Sequence, residues 1–202
     1  MKNGNEIITG NYYNKFETTN IIEKFLVKRY KKKLIGLIKS ISVKSMYEVG
    51  SGEGEIINVV SKNKDIKFIL GSDIDKNLLT QNAIRFPDYH WILNKAEQLP
   101  ISENSIDLLL ACEVLEHISS PDAFLEECKR INSKYYIFSV PNEPLWRILN
   151  MMRFKYLKNF GNTPGHINHW SKHQLIKLLS SYLNIIEVFH TQPWIFLLAR
   201  PK

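Results

Sequence analysis

Residues 47–55 read YEVGSGEGE, and this stretch decides the fold. An apolar run leads into three glycines at alternate positions, Gly50, Gly52 and Gly54, and a helical pattern of apolar residues follows from about Glu53. The pattern predicts a strand, a tight turn and the start of a helix. Because glycine lacks a Cβ atom and tolerates positive φ, such a turn brings a ligand against the backbone.

The acidic residue before the turn, Glu48, narrows the choice of ligand. A dinucleotide-binding fingerprint needs its third glycine three positions after the second, whereas Gly54 comes two positions after Gly52. No Lys-Ser or Lys-Thr pair follows the turn, so a P-loop is excluded. A carboxylate at this place repels a pyrophosphate and suits an ammonium group, so we expect a methionine-like ligand.

Apolar runs alternate with helical patterns through the first 140 residues. Strands are predicted at about 44–49, 67–72, 90–93, 106–111 and 134–140. The fourth run is apolar throughout, which is typical of a strand covered on both faces. Helices between the strands imply a parallel sheet with helices on both sides.

The first helix is predicted to begin after Asn20, which has the side chain of a helix cap. Ile21, Ile22 and Phe25 open a series of apolar residues at helical spacing, and we expect them on the buried face. Residues 28–33 give the other face a high density of lysine and arginine.

The last third of the chain has a different pattern. Residues 141–168 are irregular, and Ser171 and Gln174 then form a predicted capping box for a helix. Two β-like runs, 184–190 and 194–199, are predicted to form a hairpin.

Composition fits one soluble globular domain spanning residues 1–202, because 44% of the residues are apolar and 23% are charged. Two cysteines, Cys112 and Cys128, form no C-x-x-C spacing, and the N-terminal residues have no apolar signal region, so we expect a cytoplasmic protein. No uncharged apolar run is long enough to cross a membrane. The net charge of +7 is interpreted as a solvated lysine-rich face, with contact to RNA or to an anionic membrane surface as the alternatives.

Seven segments along the chain resemble the motifs of class I S-adenosylmethionine-dependent methyltransferases, of methyltransferase domain type 11. The last two resemble landmarks of the subgroup that includes quinone-biosynthesis enzymes. The segments are residues 48–54, 71–75, 96–100, 104–108, 112–118, 139–142 and 165–171. Their order and separations are those of the family.

The resemblance implies a Rossmann-like, three-layer αβα fold. Its sheet would have seven mostly parallel strands, with one antiparallel strand from the C-terminal hairpin. Residues 1–42 would form an N-terminal cap helix region, and residues 143–168 a lid over the substrate. The cofactor would be S-adenosylmethionine, and the product S-adenosylhomocysteine.

The resemblance also implies which residues contact the cofactor. Asp73 would accept hydrogen bonds from both ribose hydroxyls, with capping of the next helix as the alternative. Lys95 departs from the family, because many relatives have an aspartate there to accept from the adenine amine, and lysine cannot accept a hydrogen bond. The implied contacts are Glu48, Gly50, Ser51, Gly52, Asp73, Ile74, Ala96, Glu97, Cys112, Glu113 and Tyr13.

Methyl transfer from a sulfonium needs an acceptor held in line with the methyl group, and a hydroxyl acceptor needs a general base. His117 and His166 are the candidates that we favour, and His169 is a third. The alternative for His166 is a bracing role, in which it holds the lid by bonding to backbone.

A metal site is a further alternative. Glu113, Glu116 and His117, with the later His166, resemble the divalent-metal site of small-RNA 2′-O-methyltransferases and of some quinone O-methyltransferases. The same residues occur in relatives without metal, so the favoured prediction has none. Two other functions therefore stay open, a metal-assisted RNA 2′-O-methyltransferase and a cofactor-binding module without activity, the latter because of Lys95.

The expected acceptor is a small apolar or aromatic molecule. Residues 143–165 contain many large apolar side chains, including Trp146, Phe154 and Phe160, and this segment would choose the substrate. Tyr12, Tyr13 and Phe16 would cover the cofactor from the N-terminal side.

Overall fold

The computed structural model describes residues 20–202, and within them seven strands form a single sheet. The strands are β1 (Ser45–Val49), β2 (Phe68–Asp73), β3 (His90–Leu93), β4 (Leu108–Cys112), β5 (Tyr135–Pro141), β6 (Leu183–Thr191) and β7 (Trp194–Pro201). Their order is β3-β2-β1-β4-β5-β7-β6, and β7 alone runs in the direction opposite to the other six strands. The predicted sheet, including the antiparallel strand from the hairpin, is confirmed.

Helices cover both faces of this sheet. They are α1 (Ile21–Lys39), α2 (Glu55–Val60), α3 (Lys76–Arg85), α4 (Pro121–Ile131), α5 (Leu145–Met152) and α6 (Lys172–Tyr182), with a 3₁₀ turn at Leu157–Asn159. The three-layer Rossmann-like arrangement is therefore confirmed for the described residues. None of their helices is both long enough and apolar enough to cross a membrane.

Strand β4 shows why its run of sequence is apolar at every position. Leu109 faces a core made with α4 and α6, whereas Leu108 and Leu110 face a second core made with α1 and α2. All five residues of the strand are at most 9% exposed. A strand buried on both faces has no position that a polar side chain would prefer.

Helix α1 begins as predicted, but its orientation differs from the prediction. The Asn20 side chain accepts hydrogen bonds from the backbone N–H groups of Ile22 and Glu23. Packing is set by the residues from Tyr30 to Ile38, which hold the helix against the sheet. The rotation that buries those residues leaves Ile21 84% and Phe25 59% exposed, so the predicted burial of the first turns is wrong.

The C-terminal elements agree closely with the sequence. Ser171 and Gln174 form the predicted capping box at the start of α6. Strands β6 and β7 pair along their length from Leu183 with Pro201 to Thr191 with Trp194. Because β7 also pairs with β5, the hairpin attaches the end of the chain to the middle of the sheet.

Candidate functional site

A cleft of about 1210 Å³ opens at the carboxyl ends of β1, β2 and β4. Ligands of open α/β sheets bind at this edge, where the turns after the strands point the same way. Every predicted cofactor contact that the structure describes lines it, namely Glu48, Gly50, Ser51, Gly52, Asp73, Ile74, Ala96, Glu97, Cys112 and Glu113. Tyr12, Tyr13 and Phe16 lie outside the described residues.

The glycine turn follows β1 in the chain, and its backbone is hydrogen-bonded to β2. Gly50, Gly52 and Gly54 all have positive φ, at 69°, 50° and 74°. A Cβ atom on Gly50 would lie 2.6 Å from Cγ2 of Val114. The Ser51 N–H donates to the Ser72 carbonyl at 2.7 Å. Glycine is thus required at position 50 both by conformation and by space.

Asp73 is held by two backbone donors on the edge of the cleft. The Gly52 N–H donates to its Oδ2 at 2.8 Å, and the Asp75 N–H donates to its Oδ1 at 3.0 Å. The residue that caps α3 is Asp75, whose side chain accepts from Asn77 and Leu78. The carboxylate of Asp73 is therefore oriented by the turn rather than used as the helix cap. Each of its oxygens keeps a second lone pair for another donor.

Glu48 is a buried carboxyl group at the floor of the cleft. It is 1% exposed, and its Oε2 has no hydrogen-bond partner among the described residues. Burial raises the pKa of this carboxyl well above its ordinary value, and the charge of Asp73 adds to the effect, against a hydrogen bond from the Ile57 backbone. A cationic ligand at this place would restore the charged form and satisfy the oxygen.

A second buried group at the floor involves a residue that the sequence analysis missed. Burial raises the pKa of the Cys112 thiol to about 12, and the nearby Glu48 acts in the same direction. The hydroxyl of Tyr30 hydrogen-bonds to this thiol and lies 2.6 Å from Oγ of Ser139. Tyr30 comes from α1, four residues before Leu34 on the same face, and that spacing is the signal that could have identified it.

The side of the cleft beyond β3 is polar. Asn94, Lys95 and Gln98 line it beside Ala96 and Glu97. The Tyr47 hydroxyl donates to Asn94 Oδ1 at 3.3 Å, and the Asn94 amide donates to the Lys95 carbonyl at 2.9 Å. Asn94 is therefore a fixed amide next to Lys95, and the sequence analysis did not single it out.

The two favoured histidines occupy different environments. His117 lines the cleft, and its Nδ1 lies 2.9 Å from the carbonyl oxygen of Gly165. His166 does not line the cleft, because it is only 4% exposed and its ring packs edge-on against His117 at 4.8 Å between centroids. The third candidate, His169, has its Nε2 2.8 Å from Asn162 Oδ1, and burial lowers its pKa.

Backbone contacts hold the segment around His166 against the segment after β4. The Ile167 and Asn168 N–H groups donate to the Glu116 carbonyl at 2.9 and 3.1 Å. The Asn168 side-chain amide donates to the carbonyls of Leu115 and Ile118 at 3.0 and 2.7 Å. The contact places one ligand atom each of Glu116, His117 and His166 within 4.8 Å of one another. Glu113 is not in this group, although it lines the cleft.

The segment 143–168 is attached by buried polar contacts. The Trp146 indole N–H donates to Thr163 Oγ1 at 2.9 Å, and the Asn150 amide donates to the Gly161 carbonyl at 2.8 Å. Ile167 is its one residue on the cleft wall, within the part of the chain that the structure describes. Phe154 and Phe160 point to solvent, at 83% and 74% exposure.

The central part of the chain matches a known protein family. Residues 47–134 match a family described as a methyltransferase domain. Residues 47–134 of this chain are therefore a methyltransferase domain. The matched range begins in β1, includes the glycine turn and Asp73, and ends just before β5. The expected cofactor, S-adenosylmethionine, agrees with this match and with the name of a curated relative.

Two curated relatives match the chain in part. A probable S-adenosylmethionine-dependent methyltransferase of Mycobacterium tuberculosis is 24% identical over 126 residues, which are 60% of this chain and 44% of that protein. The demethylmenaquinone methyltransferase of Thermotoga maritima is 22% identical over 118 residues, 58% of this chain and 52% of that protein. The chain thus spans about half the length of the curated relatives it matches.

Solved structures confirm the fold of the methyltransferase domain. The methyltransferase domain of bacterial CtHen1 superposes with a TM-score of 0.71 at 16% identity, over 87% of this chain and 99% of that one. At this identity the likeness concerns the fold alone.

Proposed function

We propose that this methyltransferase transfers the methyl group of S-adenosylmethionine to a hydroxyl oxygen of a small-molecule acceptor. The observation that carries the proposal is His117, an imidazole on the cleft wall whose Nδ1 lies 2.9 Å from the Gly165 carbonyl. A carbonyl oxygen only accepts, so Nδ1 carries the proton in the neutral ring and Nε2 carries the lone pair. A neutral histidine fixed in this tautomer is suited to take a proton from a hydroxyl.

The cofactor is proposed to lie across the carboxyl edge of the sheet. Its ammonium group would meet Glu48, whose buried Oε2 lacks a partner among the described residues. Its ribose hydroxyls would donate to the remaining lone pairs of Asp73. The other proposed contacts are the backbone at Gly50, Ser51 and Gly52, the side chain of Ile74, and Ala96 with Glu97 near the base.

The reaction is an in-line displacement at the methyl carbon. The acceptor oxygen forms a bond to the methyl carbon while the bond from that carbon to sulfur breaks, so the sulfonium becomes the thioether of S-adenosylhomocysteine. The hydroxyl proton passes to Nε2 of His117. Cys112 does not compete as a nucleophile, because a thiol with a pKa of about 12 is ionised in roughly one molecule in 10⁵ at neutral pH.

The size and lining of the cleft support a small, largely apolar acceptor. Its volume of about 1210 Å³ exceeds the roughly 300–1,000 Å³ that is typical of a site for one ligand, so cofactor and acceptor can lie in it together. One of the relatives is named a demethylmenaquinone methyltransferase, after a small-molecule acceptor. The apolar residues of the lining include Val27, Ile56, Leu78, Val114, Ile118, Ile167 and Trp194.

We also propose that residues 143–168 act as a substrate lid, supported by the contact of Gly165 with His117. A cytoplasmic location is proposed because both cysteines are free and buried. A single domain over residues 1–202 is likewise a proposal.

The test is a turnover assay with S-adenosylmethionine and a set of phenols, hydroxyquinones and aliphatic alcohols. Transfer to a hydroxyl should fall by about 10²–10⁴-fold in His117→Gln, while cofactor binding is retained. His169→Gln is the matched control, since His169 bonds to Asn162 and is absent from the cleft wall. Transfer only to nitrogen or carbon acceptors, or binding without any transfer, would refute the proposal.

A second candidate is favoured by the convergence of Glu116, His117 and His166, whose ligand atoms lie within 4.8 Å of one another. A carboxylate and two imidazoles are a donor set that suits Mn²⁺ or Zn²⁺. The Gly165 carbonyl holds His117 in the orientation in which Nε2 can bind a metal, as outer contacts do in established sites. These three residues would hold the ion, and a bound divalent ion lowers the pKa of a nearby hydroxyl. Turnover with a chelator, then with added Mg²⁺, Mn²⁺ or Zn²⁺, decides, since full activity in the chelator excludes this candidate.

A further inference from the structure

Large apolar side chains point to solvent at two places that the proposed reaction does not use. The first turns of α1 expose Ile21, Ile22 and Phe25, at 84%, 63% and 59%. The segment after α5 exposes Met152, Phe154 and Phe160, at 71%, 83% and 74%. A single exposed apolar residue is ordinary, but a group of this size on one part of a protein indicates an interaction site.

Ion pairs bring the two places together. Glu23, on the buried side of α1, has its Oε1 3.0 Å from Arg153 Nη1 and 2.7 Å from Lys155 Nζ. Arg153 and Lys155 flank Phe154 in the chain, so the ion pairs fix Phe154 next to the first turn of α1. We call the six exposed residues Ile21, Ile22, Phe25, Met152, Phe154 and Phe160 the outer apolar surface.

Cations border the outer apolar surface on both elements. On α1 the side that begins with Ile21 and Phe25 continues, at helical spacing, with the exposed residues Lys28 and Lys32. The Arg29 guanidinium lies 5.7 Å from the centre of the Phe25 ring. Residues 24–47 contain no aspartate or glutamate, and residues 144–186 contain six lysines and arginines and likewise no acid.

This combination of exposed apolar tips and nearby cations matches an anionic phospholipid surface. Apolar side chains of such a site enter the boundary between headgroups and acyl chains, and lysine and arginine remain at the level of the phosphates. Three of the six residues, Ile21, Ile22 and Met152, are aliphatic and give no stacking platform for bases, which favours a bilayer over a nucleic acid. A second copy of the chain would bring two cationic faces together, which like charges oppose.

We propose that the outer apolar surface docks this methyltransferase peripherally on an anionic bilayer, with Phe154 and Ile22 inserted and Lys28 and Arg29 at the headgroups. The proposal does not depend on the identity of the methyl acceptor. It predicts that attachment needs apolar side chains and cations together, because neither alone gives a stable peripheral contact.

Co-sedimentation with vesicles tests the proposal on the intact chain. Vesicles of equal parts phosphatidylglycerol and phosphatidylcholine should sediment the protein, and vesicles of phosphatidylcholine alone should not. Added salt should weaken the attachment without abolishing it, because salt screens the contacts of lysine and arginine with the headgroups and leaves the apolar contacts in place. Ile22→Asp with Phe154→Asp should weaken it by at least about tenfold, and so should Lys28→Glu with Arg29→Glu.

Two matched controls show whether an effect belongs to the outer apolar surface or follows from an added acid or a charge reversal anywhere on the protein. Ile84→Asp places the same acid at a residue of α3 that is 77% exposed, and it should leave sedimentation unchanged. Lys62→Glu with Lys64→Glu makes the same change of net charge at exposed residues after α2, and it should have little effect. Unfolding temperature and cofactor affinity, measured for each variant, show whether the fold is intact.

Several results would overturn the proposal. Failure to sediment with the anionic vesicles is one, and equal weakening by the two pairs of charge reversals is another. Attachment that occurs only after removal of residues 2–19 would mean that the surface is covered within the intact chain. Release from the vesicles by a single-stranded RNA oligonucleotide, with RNA binding lost in the same variants, would assign the surface to nucleic acid instead.

Discussion

The carboxyl edge of β1, β2 and β4 and the segment 143–168 are built in opposite ways. At the edge, backbone N–H groups orient side chains of the cleft, as Gly52 orients Asp73. In the segment, a few buried side chains such as Trp146 and Asn150 hold the chain in place while Phe154 points outward. The difference suggests that the edge determines the cofactor, whereas the segment is free to determine what the protein contacts.

The largest expected effect is at Asp73. Asp73→Asn keeps the size of the side chain but removes its charge and one acceptor, so the Kd for S-adenosylmethionine should rise by about 100-fold. Asp75→Asn is the matched control, because Asp75 caps α3 and asparagine caps a helix equally well. Calorimetric titration measures both variants, and equal losses would remove the distinction between the two acids.

The second-largest effect is expected from a substitution in the glycine turn. Gly50→Ala puts a methyl group 2.6 Å from Val114 Cγ2 at a positive φ, so the free energy of unfolding should fall by roughly 1–3 kcal/mol. Gly36→Ala, in α1 with open space around it, should gain up to about 1 kcal/mol. Urea unfolding checks the pair. An unchanged free energy of unfolding in Gly50→Ala would show that the turn is less constrained than its geometry indicates.

A substitution within residues 143–168 should lower the local stability of that segment and leave the affinity for the cofactor unchanged. Asn150→Ala removes the donor to the Gly161 carbonyl and leaves that buried oxygen unpaired, at a cost of about 1–2 kcal/mol. Hydrogen exchange should become faster in residues 145–163, while the Kd for S-adenosylmethionine changes by less than about twofold. A rise in this Kd as large as that expected for Asp73→Asn would contradict the proposal that the carboxyl edge, and not this segment, determines cofactor binding.

Glu48 should give the smallest change in stability, and one that depends on pH. Burial raises the pKa of this carboxyl in the folded protein, so its contribution is fully present below the unfolded pKa and is lost as the pH rises through the folded pKa. Glu48→Gln should therefore be slightly more stable than the original chain above that range and should show a flatter dependence of unfolding temperature on pH. An unchanged profile would mean that Glu48 is charged in the unliganded protein.

The sequence predicted the edge better than the outer surface for a physical reason. The positions of Gly50 and Asp73 follow from local backbone rules, and parallel strands bring their turns together in any such sheet. The orientation of α1 depends on which of its faces packs better, and Tyr30 rather than Phe25 decides it through contacts with Ser139 and Cys112. A period in sequence identifies a helix but not the contacts that set its rotation.

The histidines illustrate the same limit. The sequence named His117 and His166 together, and spacing along the chain could not show which one reaches the cleft. That depends on how the segment after residue 164 docks on the residues after β4, through hydrogen bonds from Ile167 and Asn168 to the Glu116 carbonyl. Such long-range backbone contacts have no local signal in the sequence.

The central claim is that S-adenosylmethionine places its ammonium group on Glu48 at the carboxyl edge of the sheet. Titration calorimetry over a range of pH, in two buffers of different ionisation enthalpy, tests it directly. We predict that cofactor binding releases a proton, because the ammonium converts the protonated Glu48 to its charged form, and that Glu48→Gln abolishes this release. Absence of binding, or an equal proton release from Glu48→Gln, would contradict the account.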